Sequence, residues 1–122
     1  MNGFLLAALG GAVGAAARYG VGLWAAKTFA GTFPYATLGV NILGGLAMGL
    51  LVGLVPLENR QAHILLGVGV LGGFTTFSAF SIDLVRLLEQ GDVGLAIGYA
   101  LVSVVAATAA CYAGLLLARS LG

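Results

Sequence analysis

The residues best suited to ion chemistry lie in one segment of an otherwise apolar stretch. Residues 67–83 read GVGVLGGFTTFSAFSID, so that four glycines precede the pair Thr75 and Thr76. Glycine weakens a helix, and threonine hydroxyls can bond to the backbone, so we expect a helix break near Gly72–Thr76. Carbonyl oxygens freed at such a break are good ligands for a hard cation. A glycine-kinked packing helix is the alternative, which the pattern alone favours.

Two aromatic and two hydroxyl side chains could lie near that break in the folded protein. Phe77 and Phe80 are three residues apart and share one face of the resumed helix. Tyr99 and Ser103 are four residues apart on another apolar segment, and their hydroxyls can donate hydrogen bonds without carrying charge. Spacing alone favours a plainer interpretation, in which the rings fill a core and the hydroxyls join helices.

Asn41 is the only amide side chain in the apolar segment at about residues 35–55. It continues an i, i+4 row of small and polar residues, namely Thr37, Asn41, Gly45, Gly49 and Gly53. Its amide supplies two donors that could serve an anion. The alternative, which the spacing favours, is an interhelical hydrogen bond above a stripe of small packing residues.

Arg18 is a charge inside the first apolar segment, where charges are expensive and usually functional. Gly14 and Gly22 lie four residues to either side, so its face would turn toward another helix or a water-filled vestibule. The side chain could instead extend to the membrane interface beside Tyr19 and Trp24. In both cases it would create an electropositive region that attracts anions.

Catalytic chemistry lacks the necessary groups. His63, Glu58, Glu89 and Asp92 fall at predicted segment ends, where we expect solvated loop residues. No two acids or histidines share a membrane face, so a metal cluster and acid–base catalysis are both disfavoured. Cys111 is the single cysteine and excludes a disulfide framework. We predict that the protein is not an enzyme.

The composition requires a membrane to surround these residues. Charged residues make up 7% of the chain and hydrophobic residues 61%, against roughly 25% charged in soluble domains. About 20 apolar residues cross a bilayer, and the chain supplies four such runs. We predict an all-α integral membrane protein with one four-span domain over residues 1–122, its spans covering about 3–26, 35–55, 61–88 and 93–118. The net charge of +1 leaves no basic surface for nucleic acid.

The positions of the Lys and Arg residues do not favour either orientation of the chain in the membrane. Four spans place both termini on one side, with Arg60 and Arg119 there and Lys27 and Arg86 opposite. The positive-inside rule then gives no bias, as expected for a chain that inserts both ways up. A weak bias survives if one charge lies too deep to count. Because four helices barely enclose a pathway, pairing with an inverted copy is the simplest assembly.

Three motifs, in order, give the chain a family resemblance. GGFTTFSAFSID is similar to the TTFSTFS-type signature of the Fluc/CrcB fluoride channels. GAAARY at 14–19 and TLGVNILGG at 37–45 resemble that family's first- and second-span motifs. The match covers the whole chain. It implies a fluoride-selective channel in the bacterial inner (plasma) membrane that releases cytoplasmic fluoride passively, working as an antiparallel, dual-topology homodimer with two pores.

The resemblance also assigns roles to individual residues. It implies a central sodium ion held at the dimer interface by the backbone carbonyls of Gly72 and Thr75. The residues implied for the fluoride path are Asn41, Phe77, Phe80, Tyr99 and Ser103, with Arg18 at the vestibule. Ala79 and Asp83 replace the signature's frequent Thr and Glu, and Ala107 lacks a hydroxyl that some members have.

Two other functions compete with this interpretation. Small multidrug transporters also have four spans and exchange protons for cationic drugs, but they need a carboxylate inside the membrane. The first span here has Arg18 and no acid, and Asp83 comes near the end of the third span. A purely structural subunit, whose polar residues only join helices, would support no flux.

Overall fold

The computed structural model describes residues 2–122 and is all-helical over that range. Helix α1 covers Gly3–Thr28, α2 Tyr35–Leu54, α4 Phe77–Glu89 and α5 Val93–Leu121. Helix α3 (residues 60–74) joins three pieces, Arg60–Ala62, His63–Leu71 and Gly72–Phe74, the middle one a π-helix. Counting α3 and α4 as one span, the four spans contain 20 to 30 residues, or about 30 to 45 Å at 1.5 Å per residue. Each is long enough to cross the hydrocarbon core, which confirms the prediction of four membrane-length helices.

Helix α1 packs closely on α3 through glycine. A Cβ atom at Gly10 would lie 2.8 Å from the Cα of Gly69, and one at Gly73 would lie 2.6 Å from the Gly11 carbonyl oxygen. At Gly14 a Cβ would collide with the carbonyl oxygen of Val70. Small residues at these positions therefore let the two backbones touch, as in other membrane helix pairs.

Helix α2 packs on α5 in the same manner. A Cβ at Gly45 would lie 2.6 Å from the Ala107 carbonyl oxygen, and one at Gly49 would collide with that of Cys111. The glycine part of the row predicted on α2 is thus a packing stripe, in agreement with the plainer alternative. The contact also fixes α2 and α5 as one pair, with Asn41 one turn above the stripe.

The third span breaks at Thr75 and Thr76. Thr75 has ψ 158° and Thr76 has φ −153° and ψ 121°, both extended, while Gly72–Phe74 remains helical. Each threonine stabilises one side of the break. Thr75 Oγ1 donates to the Leu71 carbonyl at 2.9 Å, and Thr76 Oγ1 accepts from the Ala79 amide at 3.1 Å, which caps α4. The predicted break is confirmed, and it is narrower than expected because the glycines before it stay helical.

The π-helix before the break was not predicted, and neither was the environment of His63. Its Nε2 lies 3.1 Å from the Val55 carbonyl oxygen at the end of α2. His63 is half-buried at the first position of the π-helix rather than a solvated loop residue.

Few side chains are buried within the protomer. Only 11–22% of the most apolar stretch of each span is buried. Large apolar side chains such as Val68, Val104 and Val105 are about two-thirds exposed. Their surroundings must therefore be lipid or another chain, since water would not tolerate so large an apolar surface.

Candidate functional site

The break is held in place by the side chain of Asn41. Its Oδ1 accepts from the Thr76 amide at 2.8 Å, and its Nδ2 donates to the Thr76 carbonyl at 3.1 Å. The Thr76 amide must face an oxygen, so these contacts decide the orientation of the Asn41 amide. One Nδ2 proton remains free for another acceptor. Asn41 therefore supports the broken backbone and can still donate to a ligand.

Three carbonyl groups at the break, those of Gly72, Phe74 and Thr75, have no hydrogen-bond partner within residues 2–122. The Gly73 carbonyl accepts from Arg18 Nε at 3.1 Å, and the Thr76 carbonyl accepts from Asn41. Within residues 2–122, no hydrogen bond crosses the break to the carbonyl of Gly72 or Thr75. These are the two positions that the resemblance assigned to sodium. Gly72 is exposed at the protomer surface.

A cavity with a volume of ≈ 260 Å³ lies beside the break, and we call it the Asn41 cavity. Four of the five residues predicted for the fluoride path line it, namely Asn41, Phe77, Phe80 and Ser103. The other lining residues are also uncharged: Thr75, Thr76, Val104 and Ala107. The cavity is thus walled by rings, methyl groups and a few neutral polar groups.

The Ser103 hydroxyl has no partner within residues 2–122, although the residue is only 7% exposed. Buried polar groups in folded proteins nearly always have a hydrogen-bond partner. A buried hydroxyl without one, in a residue that lines a cavity, is a donor that remains available to a ligand.

The two phenylalanines occupy different environments. Phe80 is 8% exposed and belongs to the core, whereas Phe77 is 78% exposed. Their ring centroids are 5.5 Å apart and their planes meet at 48°. Phe77 therefore lies at the open side of the Asn41 cavity, where this protomer supplies no opposing wall.

Tyr99 lies behind Phe80 rather than in the cavity wall. It is 1% exposed, and its ring centroid is 5.1 Å from that of Phe80. Its hydroxyl donates to the Asp83 carboxylate at 3.1 Å. The structure thus brings Tyr99 together with Phe80 but directs its proton to Asp83.

Arg18 lies beside the break and not at the end of α1. Its Nε bonds to Gly73, and no acidic side chain within residues 2–122 pairs with it. It lines a second cavity of ≈ 290 Å³, which we call the Arg18 cavity, together with Thr37 and Thr76. A guanidinium has five N–H donors, so an uncompensated positive charge with free donors faces this cavity. Thr76 lines both cavities, so both adjoin the broken backbone.

Comparison with known proteins identifies the family. The model of the "CrcB-like protein, Camphor Resistance (CrcB)" family matches residues 5–115. The chain belongs to the CrcB family. A relative from Paracoccus denitrificans is 53% identical over 97% of this chain and 95% of its own length. One from Hyphomonas neptunium is 50% identical, with 98% and 97% covered. Both are named fluoride-specific ion channel FluC.

Three features of this CrcB-family site escaped the sequence analysis. The partner of Asn41, Thr76, comes from a segment 35 residues away, and no local pattern predicts that pairing. The Tyr99–Asp83 hydrogen bond joins α5 to α4, and its only signal was an acid at the end of the signature motif. The packing of Phe33 on Tyr99, with ring centroids 5.5 Å apart, was also missed. The many aromatic residues between 24 and 35 could have indicated it.

Proposed function

We propose that this chain forms a fluoride-selective channel through which fluoride leaves the cytoplasm passively. The chain is a multi-pass protein of the bacterial plasma membrane, and its relatives are named ion channels rather than enzymes. The observation that carries the proposal is that Ser103, whose hydroxyl has no partner within residues 2–122, and Asn41 line the same uncharged cavity. Together they supply donors for an anion and no charge that would trap it.

The chemistry of fluoride explains this choice of residues. Fluoride is small and strongly hydrated, so a pore must replace its water with hydrogen-bond donors. The free Nδ2 proton of Asn41 and the Ser103 hydroxyl can do so, and the rings of Phe77 and Phe80 add edges with partial positive charge. A full charge in the same cavity would bind the ion too strongly for it to leave.

Arg18 supplies the attraction at the entrance. Its charge is uncompensated within residues 2–122, and its cavity shares the lining residue Thr76 with the Asn41 cavity. An anion gathered in the Arg18 cavity would therefore pass one stretch of broken backbone before it meets the neutral donors. The positive potential raises the local anion concentration without placing a charge in the narrow part of the path.

We propose that the channel is a homodimer of oppositely inserted copies with two pores. Three observations support a second copy: Phe77 is 78% exposed at the open side of the Asn41 cavity, Gly72 is exposed, and little of each span is buried. The even split of cations across the membrane fits a partner that is inverted. A second chain would provide the missing wall beside Phe77.

We also propose that sodium is a structural ion at the dimer interface. Sodium is a hard cation that prefers oxygen ligands, and the free carbonyls of Gly72 and Thr75 are donors of that kind. The residues present therefore fit the ion. Both carbonyls lie at the break, which is stabilised by hydrogen bonds from Arg18 and Asn41. The ion would supply positive charge that compensates carbonyl dipoles brought together by two chains.

The test is efflux from liposomes that contain the purified protein. A fluoride electrode records release after valinomycin is added, and chloride is measured in parallel. We expect fast, valinomycin-dependent fluoride release without chloride release. Phe80→Ile should suppress it, whereas Phe4→Ile, a matched change at an 89% exposed position on α1, should not. A folded protein that releases no fluoride would refute the proposed function and return attention to proton-coupled drug export.

A further inference from the structure

A continuous chain of aromatic rings connects the loop between α1 and α2 to the Asn41 cavity. Phe33, from that loop, contacts Tyr99 with centroids 5.5 Å apart and planes at 78°. Tyr99 contacts Phe80 at 5.1 Å, and Phe80 contacts Phe77 at 5.5 Å. Only two rings, those of Tyr99 and Phe80, separate Phe33 from Phe77.

The middle of this chain lies in the buried core of the protomer. Phe80, Tyr99, Leu87 and Ala96 form a buried hydrophobic cluster, and Phe33 packs against it from the loop side. Tyr99 is 1% exposed, so its ring cannot move unless a neighbour moves first. Close packing of this kind transmits displacements because it leaves no free volume to absorb them.

Phe33 is itself held firmly by its loop. Gly31 adopts φ +90°, which only glycine reaches without strain, and Pro34 restricts the backbone immediately after Phe33. The Tyr35 amide donates to the Phe33 carbonyl at 2.9 Å, and the Tyr35 ring lies 4.8 Å from that of Phe33. The loop therefore presents the Phe33 ring to Tyr99 in one orientation.

We propose that Phe33 is a positioning residue for conduction, acting through Tyr99 on the ring of Phe80. This inference rests on the proposed fluoride channel and extends it to a residue outside the cavity. The Tyr99 hydroxyl donates to Asp83 and its ring contacts both Phe33 and Phe80, so a displacement of Phe33 would change how the tyrosine ring meets Phe80. The ring edge that Phe80 offers to fluoride is thus set from the loop between α1 and α2.

The experiment compares Phe33→Leu, Phe33→Tyr and Phe29→Leu in the liposome assay. Phe33→Leu keeps an apolar side chain but removes the ring that meets Tyr99, and Phe33→Tyr restores a ring. Phe29→Leu is the matched control, because Phe29 stacks on Tyr35 at 4.6 Å in the same loop without a ring contact to Tyr99. Size-exclusion chromatography and a thermal melt are recorded for each variant beside the wild type.

We expect Phe33→Leu to slow fluoride efflux by about tenfold or more, as loosened supports of a functional site do, with an unchanged elution volume. Phe33→Tyr and Phe29→Leu should stay near the wild-type rate. Wild-type efflux from Phe33→Leu would overturn the proposal. Slow efflux from Phe33→Tyr would also overturn it, because a ring would then be present without restoring conduction. Loss of assembly in Phe33→Leu would overturn it too, because the ring would then stabilise the fold rather than position the fluoride path. Absence of fluoride efflux from the wild type would instead refute the channel function itself.

Discussion

The unpartnered hydroxyl of Ser103 leads to a prediction with opposite signs for stability and conduction. A buried polar group without a partner costs about 1–3 kcal/mol, and Ser103→Ala removes only that oxygen. We therefore expect the variant to be more stable than the wild type by about 1 kcal/mol or more in fluoride-free buffer. A hydrogen bond to a charged group contributes about 1.5–3 kcal/mol, so losing the donor should slow fluoride efflux by roughly tenfold to a hundredfold.

Two measurements on the same preparation check this prediction. Thermal unfolding in detergent without fluoride reports stability, and electrode-recorded efflux from liposomes reports conduction. Ser120→Ala is the matched control, since that hydroxyl is exposed and donates to the Leu117 carbonyl at 2.7 Å. It should change neither quantity by a comparable amount. A Ser103→Ala variant that is less stable than the wild type would refute the reasoning, and so would one that conducts at the wild-type rate.

Three further changes probe the elements around the cavity. Asn41→Leu removes both bonds to Thr76, and at about 0.6 to 1.7 kcal/mol for each membrane hydrogen bond it should lower stability by about 1–3 kcal/mol and abolish efflux. A melt unchanged from that of Gln61→Leu, which removes an exposed amide instead, would contradict this. Gly49→Ala should destabilise the protein in a thermal melt, because the added Cβ would meet the Cys111 carbonyl. Gly94→Ala, where a Cβ would have no atom within 4 Å, should be neutral or stabilising. Equal effects of the two substitutions would disprove the packing argument. Gly72→Asp has room within the protomer, because the nearest atom to a Cβ at this position is 3.5 Å away. The variant should therefore fold as a monomer but fail to dimerise in sodium buffer. A normal dimer by size-exclusion chromatography would count against the sodium site.

Composition and local pattern were sufficient to predict the membrane architecture. Four apolar runs, their short connections and the low charge allow few alternatives, because a span must satisfy its own backbone hydrogen bonds in lipid. The break in the third span was also predictable, since Thr75 and Thr76 carry the hydroxyls that stabilise its two ends. Both properties depend on residues close together in the chain.

What the side chains do at the break was decided only by tertiary structure. The sequence left Asn41 as either a pore donor or a helix-packing amide; in the structure it bonds to Thr76 and also lines the cavity, which unites the two alternatives. Tertiary structure also decided the position of Arg18, because its Nε bonds to the carbonyl of Gly73, 55 residues away in the sequence. Tyr99 and Ser103 share a helix face, yet packing gives Tyr99 an acceptor and leaves Ser103 without one among residues 2–122. Helical periodicity determines which face a residue occupies, but the partner on that face comes from another helix, and no local pattern specifies which helix that is.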